Sequence, residues 1–364
     1  MKTSFLYTRR KRCLFQALFL ILSVPTFAQT GVAGSVYNFL NLPVSSRIAA
    51  IGGENVAIQD DEITSALHNP SLLSGRTHHT LSLNYAYLMP ATMSGTVMYG
   101  YNFRRAGYEK DAERDDRPNY FAAAVHYLDY GKMQYADLQG NLTGGGFTAK
   151  DIALDFVYAR QLGPMFSVGV GLKPVMSFYE SYNAFALAAD VGGHFQTKDS
   201  LFHLGLSLRN IGWQLKGFYT LEGGQQREQL PLNLELGVSY RLKHAPLRFN
   251  VTLHNLQRWD LSYPVTNQPQ DVNTEVKWYD MMFRHTVFSL DIIPKKERFY
   301  ISLSYNHRHR AELQLRDQRS LAGFAVGAGV RIKMLRLGFA FGQYTKSNFT
   351  YQASINLDIN QLLK

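Results

Sequence analysis

Histidines and paired acids are the residues in this sequence whose types and spacing could support metal or acid–base chemistry. The chain has 11 histidines. His307 and His309 are two residues apart on a predicted strand end, as chelating pairs are, but spacing ties no third ligand to them and an arginine follows each. A specific metal site needs three or four converging ligands. His78 and His79 would point to opposite faces of a strand. We therefore predict no metal site.

Motifs for covalent catalysis are absent from the sequence. It contains no G-x-S-x-G elbow, no S-x-x-K pair and no P-loop. The acid pair Asp115 and Asp116 lies in the mixed-charge run Arg104–Arg117, which a solvated loop explains without a catalytic pocket. We predict no enzymatic activity, no catalytic residue and no cofactor.

Polar and apolar residues alternate strictly between Phe349 and Asn360, which predicts a strand with one apolar and one polar face. About fourteen segments have this character, an even number as in bacterial outer-membrane barrels. The clearest others are Leu232–Tyr240, Leu247–His254, Phe202–Arg209, Phe299–Asn306 and Leu335–Gly342.

The polar faces of these segments carry charges that a dry core would not hold. We therefore place the polar faces around a hydrated interior and the apolar faces against lipid. The sequence thus predicts an all-β, antiparallel transmembrane barrel of about fourteen strands in the outer membrane of a Gram-negative bacterium. The charged residues in question are Glu235, Arg241, Arg248, His203, Arg209 and Asp155.

Short and long connections alternate along the second half of the chain, as periplasmic turns and outer loops do in such barrels. One segment departs from the pattern: Arg104–Pro118 is long and falls on the periplasmic side. Either the first two strands are misregistered or this loop makes a periplasmic contact. The predicted tight turns are Leu162–Pro164, Thr197–Ser200, His244–Ala245, Pro294–Glu297 and Lys333–Met334; the predicted long loops are Ile211–Leu230, Leu256–Met282 and Arg310–Ser320.

Residues 1–28 have the features of a cleavable export signal: a basic start, the apolar run Leu14–Val24 and small residues before the predicted cleavage point. Their removal takes away five of the ten net positive charges, which weakens any nucleic-acid interpretation. It also removes Cys13, the one cysteine.

Residues 29–77 lack the alternation but contain the helix-compatible pieces Arg47–Ile51 and Ile63–Leu67, and we predict a structured plug-like segment before a barrel of residues 78–364.

Three pairs in this early region resemble the N-terminal signature of FadL-like outer-membrane proteins. They are Gly52-Gly53, Asp60-Asp61 and Asn69-Pro70. Glycines permit close backbone approach, aspartates can cap the following short helix, and Asn-Pro can end it. The resemblance implies a fourteen-stranded barrel preceded by a plug, and Glu54 and Ser71 replace the usual alanines.

The longer run from Ser35 to Gly53 resembles, more specifically, the PorQ group of FadL-like barrels in the type IX secretion system. This resemblance implies a non-enzymatic barrel that anchors a PorZ-like surface protein in an attachment complex with sortase-like and PorV-like components, among outer-membrane lipid and lipopolysaccharide. Exposed aromatics are favoured interface anchors, and they are equally typical of the membrane-interface belt. The candidate partner-contact residues are Trp213, Trp259, Tyr263 and Trp278.

Two other functions fit parts of the sequence. A FadL-like channel for fatty acids or other hydrophobic molecules would need a lateral opening at a kinked strand, and the glycine runs 192–193 and 144–146 are candidate kinks. A soluble secreted β-protein conflicts with the even strand count and the loop asymmetry.

Overall fold

Fourteen strands form one closed antiparallel barrel in which the last strand pairs with the first. The predicted fold class is therefore confirmed. In the computed structural model the barrel strands are β1 (Thr80–Met89), β2 (Thr92–Phe103), β3 (Asn119–Ala136), β4 (Leu142–Gln161), β5 (Phe166–Tyr179), β6 (Tyr182–Gln196), β7 (Phe202–Lys216), β10 (Asn233–Arg241), β11 (Leu247–Leu253), β12 (Thr286–Ile292), β13 (Phe299–Asn306), β14 (Phe324–Ile332), β15 (Leu335–Gly342) and β16 (Thr350–Asp358); β8 (Phe218–Tyr219) and β9 (Gln225–Gln226) form a small separate hairpin.

The structure describes residues 36–103, 118–137, 139–219, 224–261, 276–294, 296–313, 321–343 and 349–359. These belong to one compact unit, Ser35–Lys364. The predicted export signal and most of the charged loop after β2 lie outside these ranges. Among the described residues, no helix has the length and apolar character needed to cross a bilayer.

The alternation seen in the sequence is the alternation of the barrel wall. Along β16, Tyr351 and Ile355 are exposed on the outer surface, whereas Gln352 and Ser354 are buried inside. The same division holds along the other strands. An exterior of exposed apolar residues is stable only against lipid, so the wall is a transmembrane surface.

The two ends of the barrel differ as the loop lengths predicted. From β4 onward, short turns join the strands at the end where β1 begins and β16 finishes, which we call the turn end; the connections at the opposite end, the loop end, include the longest ones, although the β1–β2 and β5–β6 turns there are short. In bacterial barrels the turn end faces the periplasm. β2 and β3 pair in regular register up to Phe103 and Asn119, so the charged loop between them does belong to the turn end.

Residues 36–79 form the plug, which lies inside the barrel except for its last residues, since His78 and His79 contact the outward-facing Tyr99 and Tyr101. It contains α1 (Ser46–Ala50) and four 3-10 helices, Val36–Asn41, Ile63–Leu67, Pro70–Leu72 and Gly75–Thr77. Its apolar side chains pack against inward-facing residues of the wall, Met98 and Val157 among them. The plug therefore fills much of the interior, and three of the charged residues predicted to face water do not: Glu235, Arg209 and Asp155 point inward as expected but are buried against other groups.

Two short helices lie at the loop end, where the sequence predicted loops or strands. They are α2 (Trp278–Arg284), just before β12, and α3 (His307–Leu313), just after β13. His307 and His309 therefore lie on a helix and not on a strand end. The Nε2 atom of His307 is 2.8 Å from an Asp280 carboxylate oxygen, which makes it part of the contact between α3 and α2.

Candidate functional site: the plug and its contacts with the wall

Three wall glycines hold the plug by close approach, and we call them the glycine seat: Gly169 on β5, Gly192 on β6 and Gly205 on β7. A Cβ atom at Gly205 would overlap the carbonyl oxygen of Val56, and one at Gly169 would overlap the Pro70 backbone. No larger residue fits these positions without moving the plug. The run 192–193 is thus a docking surface and not the predicted kink, since β5 and β6 pair regularly there.

Asn69 uses both ends of its amide: its donor reaches the wall and another part of the plug, and its acceptor bonds within the plug. Its Nδ2 donates to the carbonyl of Val56 (2.7 Å) and to that of Gly193 (3.3 Å). Its Oδ1 accepts from the backbone N–H of Ser71 (3.1 Å), which caps the short helix that begins at Pro70. Asn69 therefore starts one short helix after the preceding one has ended at Leu67.

Ion pairs hold the plug on the opposite side of the barrel, and we call Arg47, Asp291 and Arg248 the arginine clamp. Arg47, on α1, donates from both terminal nitrogens to the two carboxylate oxygens of Asp291 on β12, each at 2.9 Å. Arg248 on β11 donates to the same carboxylate at 2.8 Å. Ser302 donates to it at 2.6 Å, and Asp60 lies 3.3 Å from Arg47. All of these groups except Asp60 are buried.

The paired aspartates of the early motif do not cap a helix, so that part of the sequence interpretation is wrong. The N-cap of the helix Ile63–Leu67 is Glu62, whose side chain accepts from the N–H of Thr64. Asp60 belongs with the clamp. Asp61 instead pairs with Arg331 of the wall at 2.9 Å.

The paired glycines of the same motif end α1. Gly52 and Gly53 have φ angles of 98° and 95°, in the left-handed region that favours glycine. The N–H of Gly53 donates to the carbonyl of Ile48 (3.0 Å). A Cβ on Gly52 would overlap Val287 of β12, so close approach is needed here as well.

Arg209 of β7 is the centre of a second buried network between wall and plug. Its Nη1 is 2.6 Å from Nδ1 of His68, and its guanidinium lies 3.7 Å from Glu54 and 3.5 Å from Glu235. Nδ1 of His68 also lies 3.2 Å from a Glu54 carboxylate oxygen, so it stands between a guanidinium that only donates and a carboxylate that only accepts. Burial and the adjacent Arg209 lower the pKa of His68 to about 4. Burial alone would raise the carboxyl pKa of Glu54, but Arg209 and His68 together hold that pKa below its usual range.

Glu54, His68 and Glu235 bring three ligand-type atoms within 4.8 Å of one another. Spacing in the sequence does not bring them together, and they would form a possible metal site if they were alone. The Arg209 guanidinium lies among all three and would repel a cation. We therefore interpret the group as an ion-pair network.

The wall is irregular next to this network, around Lys173 on β5. Lys173 is buried, 2.9 Å from Asp190 on β6 and 3.6 Å from Asp155 on β4. Pro174 follows it and lacks an N–H, and the β4–β5 ladder skips the pairs at these positions. On β7 the register shifts at Asn210, whose φ is +57°. The wall is thus irregular at Pro174 and Asn210, and β3 and β4 also change register at one of the predicted glycine runs, 144–146, where Gly144 and Gly145 have positive φ angles.

Above the networks, toward the loop end, the lumen is apolar, and the first residues of the plug fill it. Tyr37, Phe39 and Leu40 lie in this outer chamber, and the Tyr37 hydroxyl accepts from the Gln214 amide at 2.8 Å. The wall residues around them are Ala86, Leu88, Leu128, Ala153, Val175, Ala186 and Ala188, with Leu230 from the loop before β10.

Below the networks, a polar cavity of about 780 Å³ lies between the plug and the turns, and we call it the vestibule. Arginines outnumber the acids at its rim: Asp61 and Glu297 are shared among four of them. These arginines are Arg76, Arg241, Arg331 and Arg336.

The predicted partner-contact residues do not share one environment. Trp213 is on β7, which continues to Lys216, so the loop predicted from Ile211 begins later than expected. It points outward and is 68% exposed, and it pairs with the outward-facing Leu187. Trp259 (59% exposed) stacks on His285 in the loop after β11, and Trp278 (69%) begins α2. Tyr263 lies outside the described residues.

The sequence analysis missed most polar residues of the buried networks, which are Arg47, Glu54, His68, Lys173 and Asp291. For Lys173 and Asp291 a signal was present, since both occupy inward positions in alternating segments. For the plug residues no periodicity marked the contact side.

Comparison with solved structures finds membrane channels of the same architecture. The TodX monoaromatic hydrocarbon channel deltaS2 mutant matches with a TM-score of 0.52 and 12% identity over 87% of this chain and 97% of that one. The Pseudomonas putida toluene transporter TodX gives 0.49 and 11% over 86% and 96%, and a Pseudomonas aeruginosa FadL homologue gives 0.46 and 10% over 86% and 98%. No family model matches the sequence, and neither does any curated protein. The first match shows that this chain has a FadL-like fold, that of Gram-negative outer-membrane barrels.

Proposed function

We propose that this protein is an outer-membrane channel for hydrophobic small molecules. The observation that carries the proposal is the outer chamber, a mostly apolar part of the lumen that Tyr37, Phe39 and Leu40 of the plug fill, with Leu42 packed beside them. The polar groups at its edge include His126 beside Phe39 and the buried Asp151. Ligand sites for such molecules are mostly apolar with a few polar groups. Displacement of these three residues would leave such a site, with the Gln214 amide as a polar contact.

The irregular wall offers this chamber a route to the bilayer. Pro174 immediately precedes Val175 of the chamber, and the ladder is interrupted there. The buried networks block passage from the chamber toward the turn end, because a hydrophobic solute gains no favourable contact with the charged Lys173 or Arg209. A solute that enters at the loop end would therefore leave through the barrel wall, into the bilayer. The fold likeness to a channel named for monoaromatic hydrocarbons supports this assignment.

Uptake by intact cells tests the proposal. The full chain is expressed in a strain that lacks its own hydrophobic-solute channels, and entry of labelled toluene and of a labelled fatty acid is compared with cells that carry the empty vector. We expect saturable uptake of at least one compound. Equal uptake of both by the two strains, with folded barrel present in the outer membrane, would contradict the proposal.

A matched pair of substitutions locates the path. Ala188→Phe adds a ring inside the chamber, whereas Leu187→Phe changes the residue just before it, which faces outward. We expect the first to reduce uptake and the second to leave it unchanged. Heat-dependent mobility on gels shows that both barrels have closed.

A second candidate function, attachment of a surface protein, is favoured by Trp259, exposed at the loop end beside His285. In the scheme implied by the PorQ-like run, the partner would be a PorZ-like protein accompanied by sortase-like and PorV-like components. A mild-detergent pull-down from host outer membranes tests it. Recovery of a surface protein that is lost in Trp259→Ser but kept in Trp213→Ser would support attachment; recovery of the barrel alone would count against it.

A further inference from the structure

The helix α2 has an exposed apolar face at the loop end. Trp278, Tyr279, Met282 and Phe283 are all exposed, and at 100° per residue they cover one side of the helix. The opposite side is anchored to the protein. Met281 is buried and accepts from the N–H of Leu261, and the other anchoring contacts are polar. An apolar face of this kind on a soluble surface is unstable unless something covers it.

This face is continuous with the lipid-facing wall. The ring of Phe283 lies 6.3 Å from that of Phe288, an outward-facing residue of β12. It also lies 6.0 Å from the ring of His307, which in turn contacts Tyr305 at 5.9 Å. Tyr305 packs at 4.9 Å against Phe324 on β14. Aromatic girdles of this kind mark the membrane interface of outer-membrane barrels.

The charge beside the face suits anionic lipid headgroups. Lys277 is exposed immediately before the helix, and its ammonium lies 5.7 Å from the centroid of the Tyr279 ring. The acid on the helix, Asp280, is already engaged by Arg284 (2.8 Å) and His307 (2.8 Å) on the anchored side. A cation next to aromatic side chains is the usual composition of interfacial helices.

We propose that α2 lies in the outer leaflet, with its apolar face among the acyl chains and Lys277 at the headgroups. The loop end of β12–β14 then has a lipid-contact surface that extends beyond the strands. This inference does not depend on what the barrel transports. It also gives Trp278 and Trp259, the two exposed tryptophans in the connection between β11 and β12, different surroundings.

Tryptophan fluorescence tests the inference, because the chain contains 3 Trp. Three full-length chains each keep one of Trp213, Trp259 and Trp278, with phenylalanine at the other two positions. Each is placed in vesicles of phosphatidylethanolamine and phosphatidylglycerol that contain lipid brominated near either the head or the tail of the acyl chain.

We expect Trp278 to lose more fluorescence to bromines near the head, since interfacial helices bury their apolar face about 5–10 Å into that boundary. Acrylamide in the water should quench it less than it quenches Trp259. Trp213 provides the reference for the wall. If Trp278 is insensitive to brominated lipid and is quenched by acrylamide as strongly as Trp259, the face lies in water, the inference is wrong, and a protein partner is the better occupant.

A second variant tests whether contact between Trp278 and lipid depends on the apolar face of α2. Met282→Ser together with Phe283→Ser removes half of the apolar face, while both positions are exposed and lie outside the barrel core. Quenching of Trp278 by brominated lipid should fall in this variant, with that of Trp213 unchanged in the corresponding chain. Unchanged quenching of Trp278 would overturn the role of the helix face.

Discussion

The two sides of the barrel hold the plug by different chemistry. On β5–β7 the wall offers glycines, and the plug backbone lies directly against them. On β11–β13 the wall offers the Asp291 carboxylate, which the buried Arg47 and Arg248 share. The glycine seat excludes other side chains and holds the plug by its backbone, although the buried charged residues Lys173, Asp190 and Arg209 lie on the same three strands. The arginine clamp depends on every member, because a buried charge without its partner is far more costly than the intact pair is favourable.

We expect substitutions in the arginine clamp to weaken plug binding more than substitutions in the glycine seat. Asp291→Ala leaves two buried guanidinium groups without their carboxylate, which we expect to weaken plug binding by about 3–5 kcal/mol. Hydrogen exchange of the α1 amides measures this, and ion conductance in planar bilayers reports whether the lumen opens. Asp129→Ala is the control: its carboxylate is 3.8 Å from Lys150 on a more exposed part of the wall, where such pairs contribute about 0–1 kcal/mol. Equal protection of α1 in both variants would show that the clamp is not needed.

The seat is tested by a single methyl group. Gly205→Ala would overlap the Val56 carbonyl, and we expect displacement of the plug at a cost of about 1–3 kcal/mol. Faster exchange of the Ile58 amide would measure it. Gly193→Ala, on the neighbouring strand β6, meets nothing within 4 Å and should have no such effect. If the two variants behave alike, close approach is not what fixes the plug here.

Asn69 separates capping from wall contact on the seat side. Asn69→Ala loses both, and we expect a loss of about 0.5–2 kcal/mol, the range for a removed N-cap. Asn69→Asp keeps the oxygen that accepts from Ser71 but loses the donor to Val56 and Gly193. Thermal unfolding of the two variants compares them. A full loss in the aspartate variant would assign the effect to the wall contacts, and none would assign it to the cap.

Acid should loosen the network between the two sides. The pKa of His68 falls from the ordinary 6.5 to about 4 in the folded protein, so the unfolded plug binds its proton more readily. Stability is therefore complete above pH 6.5 and declines as the pH falls toward 4, by less than about 1 kcal/mol between pH 7 and pH 6. The charged groups that face the imidazole are Glu54, Arg209 and, farther away, Lys173. His68→Gln keeps an acceptor for Arg209 without a titrating group, and the protection of plug amides, corrected for the intrinsic pH dependence of exchange, should then decline less across this range. A decline as steep as that of the unsubstituted chain would assign the effect to other groups.

The sequence was sufficient to predict the barrel strands and insufficient to predict the contacts between the wall and the plug. Strict alternation placed Phe299–Asn306 and Leu335–Gly342 at the bounds found in the structure, because a two-residue period is a local property of a strand. The prediction ended β7 at Arg209 because the bulge at Asn210 reverses the inside–outside order, and Trp213 was therefore assigned to a loop.

The contacts of the plug depend on pairs far apart in the chain. Arg47 and Asp291 are 244 residues apart, and no local pattern relates them. The aspartate motif illustrates the same limit: Asp60 and Asp61 have the residue type of a helix cap, but buried arginines from distant strands compete for them, and Glu62 becomes the cap. Residue type predicts what a side chain can do, and the tertiary neighbours decide which of these it does.

The pairing of β1 with β16 also sets an order of assembly. Thr80 is opposite Asp358, so the ring closes only when both ends of the barrel sequence have been made. The plug ends one residue before β1 and already lies inside, in contact with strands from both halves. Wrapping the sheet around a preplaced segment requires no threading, whereas closing the ring first would require more than forty residues to enter through a finished wall or its mouth. We therefore expect the sheet to close around the plug, through contacts between residues that are far apart in the chain.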